Sequence, residues 1–136
     1  VANAGLSDTY FDNTSRLFLE ASVPRTKGNL SHNLKVGEKW NIFLRNSYFG
    51  EVEEATNNTD PTVDRIYAGK IVTDLSFGCH VHENLKLTLG ANNLLDVYPD
   101  ESDAAFQSSG RFIYSRRSTQ FGTNGRHLFA RLSLSL

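Results

Sequence analysis

Residues 84–100 read NLKLTLGANNLLDVYPD, and the first half of this stretch decides the fold. From Leu85 to Asn92, the residues Leu, Leu, Leu and Ala alternate with Lys, Thr, Gly and Asn. Successive side chains of a β-strand point to opposite faces, so a period of two residues predicts a strand with one apolar face and one polar face.

The same period recurs along most of the chain, and no segment shows a good helical period. Five further segments carry it: Arg16–Val23, Asn29–Val36, Trp40–Val52, Ile71–His82 and Leu128–Leu136. The sequence therefore predicts an all-β protein with six strands. The apolar faces hold Leu, Ile, Val and Ala with almost no charge, and the charged residues of these segments fall on the opposite faces.

The connections between these segments differ in length in an ordered way. Gly37–Lys39 and Glu83–Asn84 are tight turns, whereas Glu53–Lys70 and Tyr98–Arg126 are long and polar. If the strands are antiparallel in sequence order, the tight turns lie at one end of the sheet and the long loops at the other. This arrangement is typical of outer-membrane β-barrels, whose long loops are extracellular. Four aromatic residues near the long loops predict an outer aromatic girdle: Tyr48, Phe49, Tyr67 and Tyr98.

Composition narrows the alternatives. A formal net charge of −1 argues against a nucleic-acid-binding protein. No run of about 18 apolar residues exists that would form a transmembrane helix. A soluble antiparallel sandwich would also alternate, but segments near the roughly 9–11 residues of a membrane crossing favour the membrane barrel. With no Met in 136 residues, the sequence is expected to belong to a processed or longer chain.

Several motifs together resemble one family, and the resemblance covers roughly residues 16–136. TDLS at residues 73–76 and GANNLLDVYPD at residues 90–100 are similar to the antepenultimate and penultimate strands of TonB-dependent outer-membrane receptors. Leu95 stands where that family often has Phe. Other matching segments follow in the same order: PRTKGNLS at 24–31, LRNSYFGEV at 44–52, YSR at 114–116, QFG at 120–122, NGR at 124–126 and FARLS at 129–133.

The resemblance implies a fold and a function. It makes residues 1–136 the carboxy-terminal part of the receptor's barrel domain, about the last six strands of a plugged transmembrane barrel of about 22 strands. The plug and the motif that contacts TonB are expected upstream of this stretch. Such a receptor lies in the bacterial outer membrane and imports a scarce or bulky nutrient, such as an iron chelate, haem, cobalamin or a glycan.

The resemblance also implies four partners: outer-membrane lipid, TonB, the barrel-assembly machinery and the imported ligand. Whether a surface lipoprotein also caps the barrel stays open. Two other classes stay open as well, a passive porin or adhesin barrel and a soluble β-domain that binds a ligand. An enzyme is not expected, because no Gly-x-Ser-x-Gly motif or other pairing of a nucleophile with a base is visible.

The candidate ligand-binding residues lie in the last long connection. They form a dense basic and aromatic set suited to an anionic ligand: Arg111, Tyr114, Arg116, Arg117 and Gln120. The alternative is that these arginines order the loop or contact acidic sugars and phosphates of the outer leaflet.

The resemblance further implies that assembly machinery reads the last strand, through Leu128, Leu132, Leu134 and Leu136. Leu136 stands where an aromatic residue is preferred. His80 and His82 lie two residues apart on one strand face, but a metal site usually needs three or four ligands, so they are interpreted as polar residues of the barrel lumen. The sequence predicts no metal and no cofactor.

Overall fold

The computed structural model describes residues 11–56, 60–103, 107 and 111–135. Its elements in chain order are helix α1 (Asn13–Glu20), strands β1 (Lys27–Val36), β2 (Trp40–Phe49) and β3 (Val52–Glu54), a 3₁₀ turn (Pro61–Val63), and strands β4 (Arg65–Tyr67), β5 (Lys70–His82), β6 (Leu85–Asn92) and β7 (His127–Leu134). Within the described residues, no helix is long and apolar enough to cross a membrane.

The chain divides into two compact units. The sheet unit comprises residues 28–48, 71–98 and 124–136, and the loop unit comprises residues 1–27, 49–70 and 99–123. Each unit has its own organisation.

The strands form an antiparallel sheet with the order β1-β2-β5-β6-β7. Consecutive strands in the list are neighbours, apart from the short β3–β4 pair, which forms a separate two-stranded sheet. The predicted all-β architecture is therefore confirmed in its main part, with one helix added. In the part of the chain that the structure describes, the sheet is open and has β1 and β7 at its edges, so these residues do not close a barrel.

The register places the alternating residues as the sequence predicts. On one face, Phe77 pairs with Leu89, which pairs with Ala130. On the other face, Gly78 pairs with Thr88, which pairs with Arg131. The remaining apolar-face residues of these three strands follow the same register: Leu75, Cys79, Leu85, Leu87, Ala91, Leu128, Leu132 and Leu134.

The apolar face is exposed. On β7, Leu128, Leu132 and Leu134 are 71%, 67% and 66% exposed. Burying one such side chain is worth about 1.5–3 kcal/mol, so leaving a row of them in water is unfavourable. A contiguous apolar surface of this kind is typical of a site that contacts a membrane or another protein.

One carboxylate joins three parts of the sheet unit. Asp74 on β5 accepts hydrogen bonds from the Nε and Nη2 atoms of Arg45 on β2, at 3.0 and 2.6 Å. Its other oxygen accepts from the backbone N–H of Asn93, at 2.9 Å, directly after β6 ends. The Asn93 side chain then closes a tight turn by bonding both the N–H and the carbonyl of Val97, at 2.8 and 2.7 Å.

The turn after β6 requires unusual backbone angles. Asn93 and Asp96 have φ values of 51° and 57°, which non-glycine residues rarely adopt and Asn and Asp tolerate best. Asp96 accepts a hydrogen bond from the backbone N–H of Arg126, at 2.7 Å, just before β7 begins. Gly125 has a φ of 68°, and a Cβ there would collide with the hydroxyl of Tyr98. The NNLLDVY and NGR motifs thus form one junction between the end of β6 and the start of β7.

A second glycine serves packing on the polar face. The ring of Phe129 on β7 lies over Gly90 on β6, where a Cβ would collide with the ring and approach Ser76 Cβ to 3.0 Å. Glycine within a strand often marks such a close approach.

The prediction of a strand at Arg16–Val23 is wrong, because this segment contains most of helix α1. Asp12 caps the helix by accepting a hydrogen bond from the backbone N–H of Ser15, at 2.8 Å, and Arg16 pairs with Glu20 at 3.2 Å, one turn later. Leu17 and Ala21, four residues apart, are the buried pair. Alternate apolar residues at 17, 19, 21 and 23 indicated a strand, but Leu19 is 68% exposed.

The predicted strand Trp40–Val52 is interrupted at Gly50. The Gly50 N–H donates to the carbonyl of Thr26, at 2.8 Å. A Cβ on Gly50 would lie 3.0 Å from that same oxygen. This close approach of two backbones ends β2 at Phe49, and Val52 pairs in the separate β3–β4 sheet.

The Asp74 contacts predict a large effect of one substitution. Asp74→Ala leaves the Asn93 N–H and the Arg45 guanidinium without their acceptor, so we expect a loss of about 2–3 kcal/mol in the free energy of unfolding. Urea unfolding of the native protein in detergent micelles measures it. Glu83→Ala, in an exposed turn, is the control and should change stability by under about 0.5 kcal/mol. An equal effect of both variants would contradict the assigned role.

The contact between Gly90 and Phe129 makes a second prediction. Gly90→Ala should destabilise the protein by about 1–3 kcal/mol, because the added methyl group displaces the ring. Gly28→Ala, where a Cβ meets nothing within 4 Å, is the matched control. In a double-mutant cycle, Phe129→Ala removes the ring, so Gly90→Ala should lower the free energy of unfolding much less in the Phe129→Ala background than in the wild type. If the losses of the two single variants simply add in the double variant, the contact is contradicted.

Candidate functional site

The two long connections, predicted as open polar loops, contribute folded structure to the loop unit. β3 and β4 form an antiparallel hairpin in which Val52 pairs with Tyr67 and Glu54 pairs with Arg65. Val52 and Tyr67 are 1% and 2% exposed and form the centre of this unit. Glu53 N–H also donates to the carbonyl of Ala21, at 2.9 Å, which fixes the end of α1 to β3.

Tyr67 connects the hairpin to the last connection. Its hydroxyl donates to Glu54 at 2.5 Å and lies 3.0 Å from the Ser102 hydroxyl. Burial, followed by the hydrogen bond to the Glu54 carboxylate, raises the pKa of Tyr67 to about 12. The prediction that Tyr67 belongs to an exposed aromatic girdle is therefore wrong.

Acidic residues of the last connection hold it to β4 and the start of β5. Asp100 accepts from Lys70 Nζ at 2.5 Å and from the Ala68 N–H at 2.9 Å. The hydrogen bond from Lys70 is the main reason that the pKa of Asp100 lies below its usual value. Asp103 pairs with Arg65 next to this contact.

The other end of the same connection is fixed by buried polar side chains. The Ser118 hydroxyl donates to the carbonyl of Glu53 at 2.6 Å. Gln120 is 4% exposed, and its amide nitrogen donates to the carbonyls of Gly50 and Ala68, at 2.7 and 2.9 Å. The Gln120 Oε1 atom is buried and has no hydrogen-bond partner among the described residues.

A cavity of ≈ 430 Å³ lies between the hairpin and this connection, in the size range of small-molecule sites. It is lined by Glu54, Ala55, Thr56, Ser102, Ser115, Arg116 and Arg117. The two consecutive arginines are exposed, whereas Ser102 and Ser115 are 5% and 7% exposed. The lining therefore offers two guanidinium groups and three hydroxyls beside one carboxylate, which suits an anionic ligand that also carries hydrogen-bond donors.

The five predicted ligand-binding residues differ in their positions. Arg116 and Arg117 line the cavity, whereas Arg111 is exposed and does not line it. Tyr114 is half-buried and forms a β-bridge with Glu101. Gln120 is occupied with backbone carbonyls. The ligand contacts of all five remain predictions.

The cavity residues that sequence reasoning missed are Glu54, Ala55, Thr56, Ser102 and Ser115. They lie in long polar segments, and only tertiary contacts between residues about 50 positions apart distinguish them from their neighbours. The sequence contained no periodic or spacing signal for them.

The predicted assembly residues and histidines lie in the sheet unit. Leu128, Leu132 and Leu134 lie on the exposed apolar face of β7, an edge strand, and Leu136 lies outside the described residues. The pairing register of β5 with β6 shifts between His80 and His82. Among the described residues, no group of three or more His, Cys, Asp or Glu side chains is close enough to hold a metal ion.

Comparison with known proteins gives one informative match. No protein-family profile and no curated protein matches this sequence. The crystal structure of a mutant form of the ferric enterobactin receptor of Pseudomonas aeruginosa superposes on 84% of this chain with a TM-score of 0.58 and 14% sequence identity. This chain spans 16% of that receptor's length. At this identity, the likeness shows a shared fold, that of a segment of a receptor for an iron chelate.

Tyr67 makes a testable prediction for the loop unit. Tyr67→Phe removes a buried hydroxyl that bonds Glu54 and Ser102, at a cost of about 1–2 kcal/mol. Amide hydrogen exchange of the native protein at neutral pH should then be about five- to thirtyfold faster in residues 99–103. Tyr48→Phe, where the ring is 43% exposed, should leave these rates unchanged.

The Tyr67 hydroxyl should also make the stability of the protein depend on pH in the alkaline range. Since the pKa of Tyr67 is raised to about 12, the neutral phenol stabilises the folded form. This contribution is complete below about pH 10 and is lost as the pH rises towards 12. The difference in urea midpoint between the wild type and Tyr67→Phe should therefore shrink between about pH 8 and about pH 11.5. A constant difference would contradict the raised pKa.

Proposed function

We propose that this chain is part of an outer-membrane receptor for TonB-energised uptake of a scarce or bulky nutrient. The observation that carries the proposal is the fold shared with the ferric enterobactin receptor. The motif resemblance to TonB-dependent receptors points to the same class of protein.

Two features of the described residues support this proposal. The first is the exposed apolar face of the sheet opposite a face that carries Arg45, Lys86 and Arg131, which suits a sheet with lipid on one side and water on the other. The second is the cavity lined by Arg116 and Arg117. In this proposal, the apolar face contacts outer-membrane lipid and the cavity contributes to ligand binding before import.

The chemistry of the cavity restricts the proposed ligand class. Two arginines and one carboxylate give the lining a formal excess of one positive charge. An anionic chelate or an acidic glycan fits this lining better than a neutral, apolar molecule does. Ferric enterobactin, the ligand named for the similar receptor, is the first probe to use. In this proposal, the protein binds the ligand and transports it without chemical conversion.

Uptake in cells tests the proposal. Strains with and without the gene for the native protein are compared for uptake of labelled ferric enterobactin, haem, cobalamin and an acidic oligosaccharide. We expect at least one of these to enter only when the gene is present and only when TonB is functional. Uptake that persists without TonB would indicate a passive porin. No gene-dependent uptake of any probe, together with recovery of the protein from the soluble fraction, would favour a soluble binding domain.

Substitution of Arg116 and Arg117 measures how much the cavity contributes to ligand binding. Arg116→Ala combined with Arg117→Ala should weaken binding of the transported probe by about tenfold or more, because a charge-assisted hydrogen bond contributes about 1.5–3 kcal/mol. Titration of the purified native protein measures the dissociation constant. Arg25→Ala is the control, since Arg25 is exposed, donates to the carbonyl of Glu20 and does not line the cavity. Equal binding by all variants would exclude the cavity as the binding site.

A further inference from the structure

A second cavity, of ≈ 510 Å³, lies on the polar face of the sheet unit near the tight turns. It forms a groove that crosses four neighbouring strands. The side chains used in the argument come from β1 (Asn33 and Lys35), the first turn (Glu38), β2 (Asn41), β5 (His80) and β6 (Lys86).

Gly78 on β5 has no side chain, and this leaves room for Lys86 to lie along the sheet in this groove. Lys86 on β6 pairs with His80 on β5. A Cβ added to Gly78 would lie 3.1 Å from Lys86 Cε and 3.7 Å from the carbonyl of Asn41 on β2. The stem of Lys86 therefore lies across β5 at Gly78 and carries its ammonium group towards β2, instead of extending straight away from the sheet.

The positive charges of the groove are only partly compensated by a neighbouring acid. Arg45 on the same face pairs with Asp74, but Lys35 and Lys86 form no ion pair among the described residues. Glu38, in the turn, is the one carboxylate that lines the groove in this part of the chain. Two lysines against one carboxylate leave a positive groove, and His80 lies beside Lys86 within it.

The groove also presents amide groups. Asn41 Nδ2 donates to Asn33 Oδ1, so the two side chains hold each other in place across β1 and β2. Each side-chain amide has further capacity, because an amide group can donate two hydrogen bonds and accept two. A donor and an acceptor in fixed positions suit the N–H and carbonyl groups of a peptide backbone.

We propose that this groove binds an extended acidic peptide segment, whose carboxylates pair with Lys35 and Lys86 and whose backbone bonds Asn33 and Asn41. Four strands span three interstrand spacings, about 14 Å. An extended chain covers this distance with about four residues. A single small anion would need donors that converge on one point, whereas these groups are spread over four strands. Charge complementarity therefore favours a segment with at least two Asp or Glu residues.

Site-specific photo-crosslinking in cells that express the native protein tests this proposal. Benzoylphenylalanine replaces Glu38, which lines the groove but is not one of the proposed binding residues, or, as the positional control, Asn29 on β1, which does not line it. After illumination, the crosslinked peptide is identified by mass spectrometry. The same crosslinker is also introduced into a Lys35→Glu, Lys86→Glu background and into a Lys27→Glu background, in which an exposed lysine at the start of β1 is reversed instead.

The expected result is a crosslink from position 38 to a peptide with at least two acidic residues among about four. Its yield should fall about tenfold in the double charge reversal, which places repulsion where attraction was, and should be unchanged in Lys27→Glu. A neutral or basic crosslinked peptide, a yield that ignores the charge reversal, or no peptide crosslink above that at position 29 would each overturn the proposal.

Discussion

The structure of the sheet depends on one constraint: its two faces need different surroundings. The register of β5, β6 and β7 places leucine, alanine, phenylalanine and cysteine together on one side, and lysine, arginine, histidine and threonine on the other. Water can solvate the second face but not the first, where Leu128 is 71% exposed. A one-residue slip in pairing would exchange the faces, so the same constraint also fixes the register. The proposed membrane setting follows from this asymmetry.

The hydrogen bonds around Asp74 and Asp96 fix where β6 ends and where β7 begins. A carboxylate that accepts from Arg45 and from the Asn93 N–H joins β2, β5 and the end of β6 through charge-assisted hydrogen bonds. The left-handed residues Asn93 and Asp96 then turn the chain sharply, and Asp96 bonds the backbone at Arg126 where the chain returns to the sheet. The motifs that suggested the family are therefore those whose side chains and backbone angles build this junction.

The sequence predicted the sheet well because alternation is a local signal that each strand carries by itself. β6 lies at Leu85–Asn92 as predicted, and β1, β5 and β7 differ from prediction by at most two residues at their described ends. Helix α1 was missed because eight residues are too few to separate the two periods when Leu17, Leu19 and Ala21 satisfy a strand pattern. The N-terminal cap at Asp12 was the signal that would have indicated a helix.

The candidate site was harder to predict, because contacts that are distant in sequence build it. Arg116 and Arg117 were identified by their charge density, but Ser102 and Ser115 were not. Tyr67 was predicted to lie in an aromatic girdle because it is near a long connection, whereas it is buried and its hydroxyl bonds Glu54. Gln120 is also buried, and its amide nitrogen donates to two backbone carbonyls. A polar core of this kind has no hydrophobic period, so only the tertiary structure reveals it.

The most direct test of the account is to measure what each face of β7 contacts in the membrane. In the native protein with Cys79→Ala, a nitroxide spin label is attached at Leu132→Cys or at Arg131→Cys, and its collisions with oxygen and with a water-soluble nickel chelate are compared in outer-membrane vesicles. The account predicts that the label at position 132 collides mainly with oxygen, which concentrates in lipid, and the label at position 131 mainly with the nickel chelate. If the label at position 132 is as accessible to the nickel chelate as the label at position 131, the apolar face does not meet lipid, and the assignment to an outer-membrane receptor is contradicted.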